Sequence, residues 1–526
     1  MQVVRALRRA AGFSAVSCNH SSGIGSRLAA GRANGVERTL HRFGGVMNRT
    51  IKCALIYSLL SLSLLRTALC SAQEGNFDPT FGDGGRLLVD VSVLSNFDIA
   101  QRLILRPDGK LLMGGTCGYE DHVVQGYYES TFCVTQLLAD GTYDGTFGPG
   151  GVGYLQFDHF AGWPNNTDLA NMMVLRDGRI ALLGYAVDAS FKSTQVLLAV
   201  LLADGSALDT TVADTGYWQF QFAAMTSAPS SFVQQPDGKV LVAGAATGVN
   251  GNYDFAVGRL LADLSGFDPS FGSGGSQTVA FDLGGPSGDD SDGCTAVLLQ
   301  SDGKIVLAGY SITSPAGQPE SGTQISVARL NADGTRDLTF GSSGDGRVHY
   351  SAGNSVAIAF DAKIDAADRI VLGGAVAASV DSTNVQWMID RLSRNGGRDP
   401  TFNQGNPQLF SQPPGNSGRI SRLALTNDGI FAIGSTPRAP SGTTGYFAVA
   451  RLNADGLLDA RFGNGGRSYA SFTATNDLDT TGVDIAVGNR GVMVVGTQTQ
   501  TGANGNTFKF AIGRLQYDQI FSDAFE

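Results

Sequence analysis

Asp268-Pro-Ser-Phe-Gly-Ser-Gly-Gly275 opens one complete period of this sequence. The period continues with a two-residue turn between apolar runs, Gln300-Ser-Asp-Gly-Lys-Ile-Val-Leu307, and with an apolar run that ends in a second turn, Val327-Ala-Arg-Leu-Asn-Ala-Asp-Gly334. The three signatures recur seven times in this order, in units that start near residues 77, 143, 208, 267, 336, 398 and 458. A fixed period of about 60 residues indicates a repeat architecture, in which one supersecondary unit is copied along the chain.

Each signature has a structural explanation. Asp-Gly between two apolar runs supplies the positive φ values of a two-residue β-hairpin, and the Gly-rich stretch after the Phe reverses the chain where side chains would block it. The Phe has the size to fill the gap between neighbouring sheets, and the Asp before it is expected to accept backbone hydrogen bonds in the turn. The structural repeat positions are therefore Phe81, Phe147, Phe271, Phe340, Phe402 and Phe462 and, in the hairpins, Asp108, Gly109, Asp237, Gly238, Asp302 and Gly303.

Four strands fit each period, because one strand lies on either side of the Asp-Gly turn, one ends in Arg-Leu and one follows the Phe-Gly turn. About 60 residues for a four-stranded antiparallel sheet matches a propeller blade enlarged by loops. We therefore predict an all-β protein, a seven-bladed β-propeller with four antiparallel strands in each blade. A stacked solenoid is the main alternative, but it normally needs atypical capping repeats, and neither end unit resembles one. The third unit has Val212 where the others have Phe, so altered packing is expected there.

The phase of the repeat predicts how the two ends of the chain meet. The N-terminal part contributes a Phe-Gly turn and a strand over residues 86–93 before any hairpin, whereas the last unit stops near Leu515 without such a strand. We predict that residues 86–93 form the outer strand of the seventh blade, which closes the ring and leaves no sheet edge unpaired. Pairing of this segment with Ala100 to Arg106 would contradict that phase.

The two faces of the predicted propeller differ. Because successive strands alternate in direction, the Asp-Gly hairpins and the Asp-x-x-Phe turns lie on one face, and the other two classes of loop lie on the opposite face. Loops of the opposite face vary widely in length, from residues 351–355 to the long stretches 116–131, 282–292 and 310–323. A rigid scaffold leaves its loops free to diverge, so the variable-loop face is the predicted binding surface.

The N-terminal region differs in composition from the repeats. Residues 47–52 are basic, residues 53–65 are apolar, and Cys70-Ser-Ala72 offers small residues before Gln73, which is the pattern of a secretory signal peptide over residues 47–72. A mitochondrial-type leader is the alternative. Residues 1–46 are predicted to be a non-structural upstream extension, residues 73–518 the propeller and residues 519–526 a C-terminal tail. The expected location is outside the cell or on its surface, without a membrane span, because the apolar run is too short to cross a bilayer.

Charge and cysteine content bear on partners and compartment. The first 72 residues hold ten of the 37 basic residues and one of the 47 acidic residues, which leaves a net charge of −19 beyond them. Nucleic acid is therefore excluded as a partner, because binding it needs a concentrated basic surface. Cys117 and Cys133 flank an insertion between two predicted strands, so we expect a disulfide in an oxidising compartment; two buried thiols are the alternative. The cysteine spacing matches no zinc motif.

Catalytic motifs are absent from the sequence. It contains no nucleophile elbow, no phosphate-binding loop of the Walker type and no His-Glu-x-x-His pattern, and beyond residue 72 its three histidines, His122, His159 and His349, lie in different units. No catalytic residue and no organic cofactor are therefore predicted. The densest carboxylate cluster is Asp289, Asp290 and Asp292, whose oxygen ligands suit Ca²⁺. A solvated acidic loop is the alternative, because the ligand spacing of a known calcium loop is missing.

The order of the three signatures resembles the delta-60 repeat β-propeller family of bacterial secreted and surface proteins. The resemblance covers residues 77–518 and implies a propeller without established catalytic residues. Three functions stay open: a monomeric binding scaffold for an extracellular protein or glycan, an extracellular hydrolase-like enzyme, and a structural envelope protein. The enzyme requires two or more carboxylates with raised pKa values that converge at the central channel.

Overall fold

The computed structural model describes residues 74–91, 97–124, 127–157, 167–187, 194–222, 226–248, 251–284, 290–313, 322–412, 417–437, 445–470, 472, 480–502 and 505–517. All of them belong to one compact unit, Gln73–Glu526. The predicted signal peptide, the upstream extension and the C-terminal tail lie outside the described residues. None of the helical segments in these ranges has the length and apolar character needed to cross a bilayer.

The described residues form 28 β-strands, most of them in four-stranded antiparallel meanders. Strand β1 (Arg86–Val89) precedes the first meander. Meander 1 contains β2 (Phe97–Leu105), β3 (Leu111–Val124), β4 (Tyr127–Leu137) and β5 (Tyr154–Gln156). Meander 2 contains β6 (Thr167–Val174), β7 (Ile180–Val187), β8 (Thr194–Leu201) and β9 (Tyr217–Phe220). Meander 3 contains β10 (Ser227–Gln234), β11 (Val240–Thr247), β12 (Tyr253–Leu260) and β13 (Ser276–Val279).

The C-terminal half repeats the same arrangement. Meander 4 contains β14 (Asp292–Leu299), β15 (Ile305–Thr313), β16 (Gly322–Leu330) and β17 (Arg347–Tyr350). Meander 5 contains β18 (Val356–Ile364), β19 (Ile370–Ala377), β20 (Val385–Leu392) and β21 (Gln408–Phe410). Meander 6 contains β22 (Arg419–Thr426), β23 (Gly429–Pro437), β24 (Gly445–Asn453) and β25 (Arg467–Ala470). The last three strands are β26 (Thr480–Gly488), β27 (Gly491–Gly502) and β28 (Gly505–Leu515), and short 3-10 turns lie at Pro149–Gly151 and Asn403–Gly405.

The first strand of the chain pairs with the last. Strand β1 runs antiparallel to β28, with Arg86 opposite Gly513 and Val89 opposite Phe510. It therefore supplies the fourth strand beside β26, β27 and β28, and we call these four strands meander 7. The pairing is the one that the phase of the repeat predicts, and β2 pairs instead with β3 in its own unit.

A β-bulge interrupts the first strand of every meander. The register of each pair shifts by one residue at the same point, between Ala100/Arg102, Leu169/Asn171, Pro229/Ser231, Cys294/Ala296, Ala359/Asp361, Ile420/Arg422 and Gly482/Asp484. A bulge re-aims the side chains beside it. The residues at these positions therefore share one level of the molecule, although nothing in their composition marks them as a set.

The hydrophobic core is divided among the spaces between meanders. Each of seven buried clusters draws its residues from two consecutive meanders, and one of them joins meanders 7 and 1. In that cluster Phe81, Val89 and Phe510 meet Ala100 and Met113. Because every meander packs on the meanders before and after it, each sheet is covered by apolar surface on both faces.

The Phe of the repeat packs against a Gly of the following meander. A Cβ atom added to Gly205 would lie 2.2 Å from the Phe147 ring, and one added to Gly396 would lie 2.8 Å from the Phe340 ring. Both glycines also have positive φ, so the turn needs Gly for its backbone as well as for space. The six pairs are Phe81 with Gly141, Phe147 with Gly205, Phe271 with Gly334, Phe340 with Gly396, Phe402 with Gly456 and Phe462 with Gly75.

One junction uses a different pair of residues. Val212 stands at the Phe position, and Leu264 stands at the Gly position of the next meander. Both are buried in one cluster between meanders 2 and 3, and Leu264 has a φ of 60°. A smaller residue on one side is thus matched by a larger residue on the other, which is how the packing at Val212 differs from the rest.

The insertion between β3 and β4 lengthens their hairpin instead of forming a separate loop. Strand β3 continues to Val124 and β4 begins at Tyr127, so residues 116–131 lie mostly within the two strands. Cys117 and Cys133 form a disulfide between β3 and β4, and both are buried. Cys294 is a free, buried thiol whose pKa burial raises to about 12.

Candidate functional site

The Asp of each Asp-x-x-Phe motif lies in a turn that is also an ion-pair centre. Asp337 accepts the backbone N–H of Thr339 at 3.1 Å, as the sequence predicts for this position. It also binds Arg329 Nε at 2.7 Å and Lys304 Nζ at 2.9 Å. Burial acts to raise the pKa of Asp337, but hydrogen bonds from Thr339 and Lys304 and the charge of Arg329 hold it well below its ordinary value.

The arginine that ends the third strand is common to five meanders. It pairs with the motif Asp on the following turn at 2.7 or 2.8 Å in four of them, and the pairs are Arg259 with Asp268, Arg329 with Asp337, Arg391 with Asp399, Arg451 with Asp459 and Arg514 with Asp78. Most of these guanidinium groups also lie over a motif Phe, as Arg329 does over Phe340 at 4.8 Å. The recurrence of Arg-Leu is visible in the sequence, but the partner of this arginine is not.

Two meanders lack this arginine, and in the described residues their motif Asp forms a salt bridge only with the cation of the hairpin. Gln136 donates to Asp144 in meander 1, where Lys110 completes the site at 2.8 Å. In meander 2 the position is Val200, and Arg179 binds Asp209 at 2.8 Å. Hairpins and Phe turns thus meet on one face, which we call the motif face. Its buried carboxylates are occupied by structural ion pairs.

The calcium candidates are only partly described. Asp289 lies outside the described residues, and no group of three His, Cys, Asp or Glu in the described part of the chain is arranged to hold a metal ion. Asp292 Oδ2 accepts the N–H of Phe281 at 2.7 Å. Asp98 accepts the N–H of Val91 in the same way at the start of β2. Asp292 therefore has a backbone-capping role that it shares with another meander, and calcium binding stays a prediction.

Asp292 and the nearby Asp254 both have raised pKa values. Burial, together with the nearby charges of Asp254 and Asp282, raises the pKa of Asp292 to about 7. Burial and Asp282 also raise the pKa of Asp254. These groups lie on the variable-loop face between meanders 3 and 4, where β12 and β14 begin. Of the three histidines, only the side chain of His349 is described; it is exposed and hydrogen-bonded to Gln324 at 2.8 Å.

The bulges build a belt of hydrogen bonds from one meander to the next. Each bond comes from a bulge residue or its neighbour and reaches the first strand of an adjacent meander. The bonds are Leu103 N to Asp484 Oδ2 (2.9 Å), Arg102 Nε to Asn171 Oδ1 (2.7 Å), Asn171 Nδ2 to Ser230 O (3.3 Å), Ser230 Oγ to Cys294 O (2.7 Å), Thr295 Oγ1 to Ala359 O (2.9 Å) and Leu423 N to Asp361 Oδ2 (2.9 Å). They connect meander 7 through meanders 1, 2, 3 and 4 to meander 5, and meander 5 to meander 6.

The belt has a charged part and a neutral part. Asp361, Arg422, Asp484 and Arg102 occupy the bulges of meanders 5, 6, 7 and 1 in alternating sign, whereas meanders 2 to 4 contribute small neutral side chains. Burial and the neighbouring Arg422 lower the pKa of Arg102 to about 9, so it is charged at neutral pH. Burial acts to raise the pKa of Asp361, but the charges of Lys363 and Arg422 bring it below its ordinary value.

The belt therefore does not contain the pair of raised carboxyl groups that an enzyme at the channel requires. Asp361 is held ionised, and Asp254 and Asp292, whose pKa values are raised, lie at the loop face instead. Burial also raises the pKa of Asp390, which accepts a hydrogen bond from the Tyr350 hydroxyl near the end of β20. A separate cavity of about 410 Å³ opens on the motif face. Its lining consists of Asp78, Thr80, Ala139, Asp140, Arg490 and Arg514. Asp78 and Arg514 already bind each other at 2.7 Å.

The meanders, their turns and their junctions are those of a β-propeller repeat protein. A family described as a domain of unknown function (DUF5122) beta-propeller matches residues 235–271, 300–340 and 427–462. Each matched segment runs from the hairpin of one meander to its motif Phe, which is the part that carries the ion pair. A search of curated proteins finds no match to this chain.

Solved structures similar to this chain include three carbohydrate-active enzymes. Polysaccharide lyase Uly1 is 11% identical with a TM-score of 0.44, over 85% of this chain and 93% of that chain. The α-L-arabinofuranosidase Arb93A from Fusarium graminearum is 10% identical with a TM-score of 0.40, over 73% and 97% of the two chains. An endo-1,5-α-L-arabinanase from Thermotoga petrophila is 14% identical with a TM-score of 0.28, over 81% and 100%.

Proposed function

We propose that this chain is an exported, monomeric, seven-bladed β-propeller of the delta-60 repeat type, which binds an extracellular protein or glycan through its variable-loop face. In this proposal each meander is one blade, and β1 closes the ring by completing the last blade. The signal peptide over residues 47–72 directs export, so the exported chain begins at Gln73. N-terminal sequencing of the exported protein tests that start, and a first residue elsewhere contradicts it.

Contacts between consecutive meanders support the closed ring. Buried clusters join meanders 6 and 7 and also meanders 7 and 1, so that meander 7 is packed on both sides. At the first of these junctions Gly75 lies against Phe462, and Gly463 N donates to Glu74 O at 2.7 Å. At the second, Gly141 lies against Phe81. A ring of this kind has no end blade that would need a cap.

One observation supports the binding function: the motif Asp residues of the motif face are engaged in structural ion pairs and turn hydrogen bonds. The motif Asp residues of all seven units have pKa values below their ordinary range because ion pairs and turn hydrogen bonds stabilise their charge. Such groups are costly to release for a ligand, because breaking one leaves a buried charge unpaired. The opposite face carries the loops whose lengths differ between blades, so it is the surface on which recognition can vary.

The proposed binding surface is tested by altering the variable-loop face and, as a control, the motif face. Residues 378–384 of the variable-loop face are replaced by a Gly-Ser segment of equal length, and the matched control is Arg490→Gln on the motif face. Binding of the exported protein to an array of purified glycans and to a biotinylated envelope-protein fraction is compared. The loop variant should lose at least tenfold in binding while the control keeps it. Equal loss in both variants, or no binding by the unmodified protein, contradicts the proposal.

A hydrolase-like enzyme is the second candidate, and the carboxyl groups of Asp254 and Asp292 favour it. A carboxyl group with a pKa near neutrality is suited to general acid catalysis. The alternative is a purely structural role for Asp292, whose carboxyl group accepts the capping hydrogen bond from the N–H of Phe281. Because its folded pKa lies above the unfolded value, ionised Asp292 destabilises the fold progressively as the pH rises through about 7. A purely structural role predicts that Asp292→Asn raises the melting temperature at pH 8 but not at pH 4, whereas a catalytic role predicts loss of glycan cleavage.

A further inference from the structure

Two arginines of the belt make no salt bridge in the described part of the protein. Arg102 donates from Nε to Asn171 Oδ1 at 2.7 Å and from Nη1 to Gln101 O at 3.0 Å. Arg422 donates from Nη1 to Ser421 O at 2.8 Å. A guanidinium group has five N–H donors, so both arginines keep donors that these bonds do not use.

The Nη2 groups of both arginines make no hydrogen bond in the described residues. Neither is among the completely buried polar atoms that lack a partner there, so each retains some contact with solvent. Arg102 as a whole is only 5% exposed, so its guanidinium is held by the protein and not free to move into bulk solvent. A buried, fixed guanidinium with accessible donors is preorganised for a ligand.

The neighbouring carboxylates do not neutralise these arginines by contact. Asp484 accepts the backbone N–H groups of Leu103 and Ile485, each at 2.9 Å. Asp361 accepts the N–H of Leu423 at 2.9 Å and binds Lys363 Nζ at the same distance. Both carboxylates thus fix the backbone of the bulges instead of pairing with a guanidinium group.

The belt and the lysine bound to it carry one net positive charge. Arg102 and Arg422 balance Asp361 and Asp484, and Lys363, which binds Asp361, adds one further positive charge. This local excess stands out in a chain that carries a net charge of −19 beyond residue 72. A single positive charge matches a monoanion better than a phosphate dianion, and the planar fork of Arg matches a carboxylate group.

The neutral part of the belt can complete such a site. Ser230 Oγ and Thr295 Oγ1 donate to the carbonyl oxygens of Cys294 and Ala359. A hydroxyl group that donates one bond still has acceptor lone pairs, so both remain able to accept a hydrogen bond from a ligand hydroxyl. The two halves of the belt are thus complementary to a molecule that has a carboxylate at one end and hydroxyl groups at the other.

We propose that the central channel binds a small hydroxylated carboxylate, with the carboxylate between Arg102 and Arg422 and the hydroxyl groups toward Ser230 and Thr295. The inference rests on the closed ring of the proposed function, but not on the partner at the variable-loop face. It assigns the channel a ligand of its own. A purely structural belt, in which the arginines only balance Asp361 and Asp484, is the alternative.

Calorimetric titration of the exported protein at low ionic strength tests the proposal. The probes are glucuronate, glucose as its neutral counterpart, and inorganic phosphate. We expect glucuronate to bind at least tenfold more tightly than either of the others, and a high concentration of NaCl to weaken it because the attraction is electrostatic. Equal binding of glucuronate and glucose, tighter binding of phosphate, or no binding of glucuronate would overturn the proposal.

Substitutions at Arg422 locate the site. Arg422 is half-buried and donates to a carbonyl of its own strand, so Arg422→Gln is expected to fold. It should weaken glucuronate binding at least tenfold, Arg422→Lys should weaken it less, and Arg490→Gln on the motif face should leave it unchanged. Unchanged glucuronate binding in a folded Arg422→Gln variant overturns the proposal. That variant should keep any partner bound at the loop face, so failure of the channel site and failure of the proposed function give different results.

Discussion

Six junctions between consecutive meanders set a Phe ring against a Gly, and the junction between meanders 2 and 3 sets Val212 and Leu264 in one buried cluster. The two solutions differ in both residues and still fill the same gap. Close packing thus permits both members of the pair to change when a smaller residue on one side is matched by a larger residue on the other. The exchange has a backbone cost, because Leu264 adopts a φ of 60° and a left-handed conformation costs a non-Gly residue about 1–2 kcal/mol.

The same junction departs from the repeat in its polar part. Meander 2 has Val200 in place of the third-strand arginine, which lies over the motif Phe in four of the other meanders. Where the ring is missing, the cation that stacks on it is missing as well. Ala213 and Asp214 follow Val212 with positive φ, so three of the seven non-Gly residues with positive φ in the described ranges belong to this junction. At this junction the departures come together, whereas meander 1 has Gln136 in place of the arginine and keeps Phe147.

The largest expected effect comes from placing a side chain at a Gly position of the common junction. Gly396→Leu combines a positive φ with a collision against Phe340, and we expect a loss of about 3–5 kcal/mol in the free energy of unfolding. Adding Phe340→Val copies the exceptional pair and should recover a large part of the loss. Urea unfolding followed by tryptophan fluorescence measures both.

The matched control is Gly353→Leu. Gly353 has the same φ of 85° as Gly396, but a Cβ atom added to it would meet no other atom within 4 Å. Its loss should therefore be the backbone cost alone, about 1–2 kcal/mol. If Gly396→Leu is no more destabilising than Gly353→Leu, or if Phe340→Val gives no recovery, volume compensation does not explain the Val212 and Leu264 pair.

The next largest difference is expected when the residue that fills the gap is shortened at each of the two kinds of junction. Phe340→Ala removes a fully buried ring, and we expect a loss of about 3–5 kcal/mol. Val212→Ala removes two methyl groups from an equally buried position, and the expected loss is about 1–2 kcal/mol. Thermal unfolding of the two variants side by side is the measurement. Equal losses would mean that the Phe ring is not the main support of the common junction.

A smaller difference is expected between the motif aspartates. Asp337 binds the buried Arg329 as well as Lys304, whereas Asp209 binds the partly exposed Arg179. Asp337→Asn should therefore cost about 2–3 kcal/mol, because it leaves a buried guanidinium unpaired, and Asp209→Asn about 1 kcal/mol. Chemical denaturation at neutral pH compares them. A larger loss for Asp209→Asn would contradict the role assigned to the third-strand arginine.

The pH dependence of that loss is the smallest and most specific effect. The folded pKa of Asp337 lies below its unfolded value of about 3.9. Its ion pairs therefore stabilise the fold fully above that unfolded value, and this contribution disappears as the pH falls below it. The deficit of Asp337→Asn relative to the unmodified protein should be constant from about pH 8 to pH 5 and shrink below about pH 4. A deficit that persists unchanged in stronger acid would show that the carboxylate charge is not its source.

Much of the fold is readable from the sequence because its signals are local. The hairpins, the Phe turns and the pairing of residues 86–89 with the last strand follow from motifs whose members lie within a few residues of one another. The compensation between Val212 and Leu264 is not readable, because the partners lie in different units and each looks like an isolated exception. The belt is also hidden, since a bulge shifts register without requiring any particular residue, and Arg102, Asp361, Arg422 and Asp484 share no sequence motif.

The candidate sites are predicted less well than the fold. The sequence draws attention to Asp292 through its acidic neighbours, and the structure gives it a backbone partner in Phe281. The sequence does not single out the arginines of the belt, because one Arg in an apolar strand forms no motif. Their significance depends on which side chains face one another across meanders, and that information is three-dimensional.

Pairing of β1 with β28 places the start and the end of the propeller in one sheet, with 510 to 513 opposite 86 to 89. A ribosome makes the N-terminus first, so β1 exists for nearly the whole of synthesis before its partner does. The final sheet cannot be finished until β28 has been made, and a chain truncated before it would leave the exposed edge of β1 available to other molecules. In a circular permutant, β28 is joined to β1 by a linker and new termini are opened between two other meanders. The strand that must wait for its partner during synthesis is then a different one, and the final fold should be unchanged.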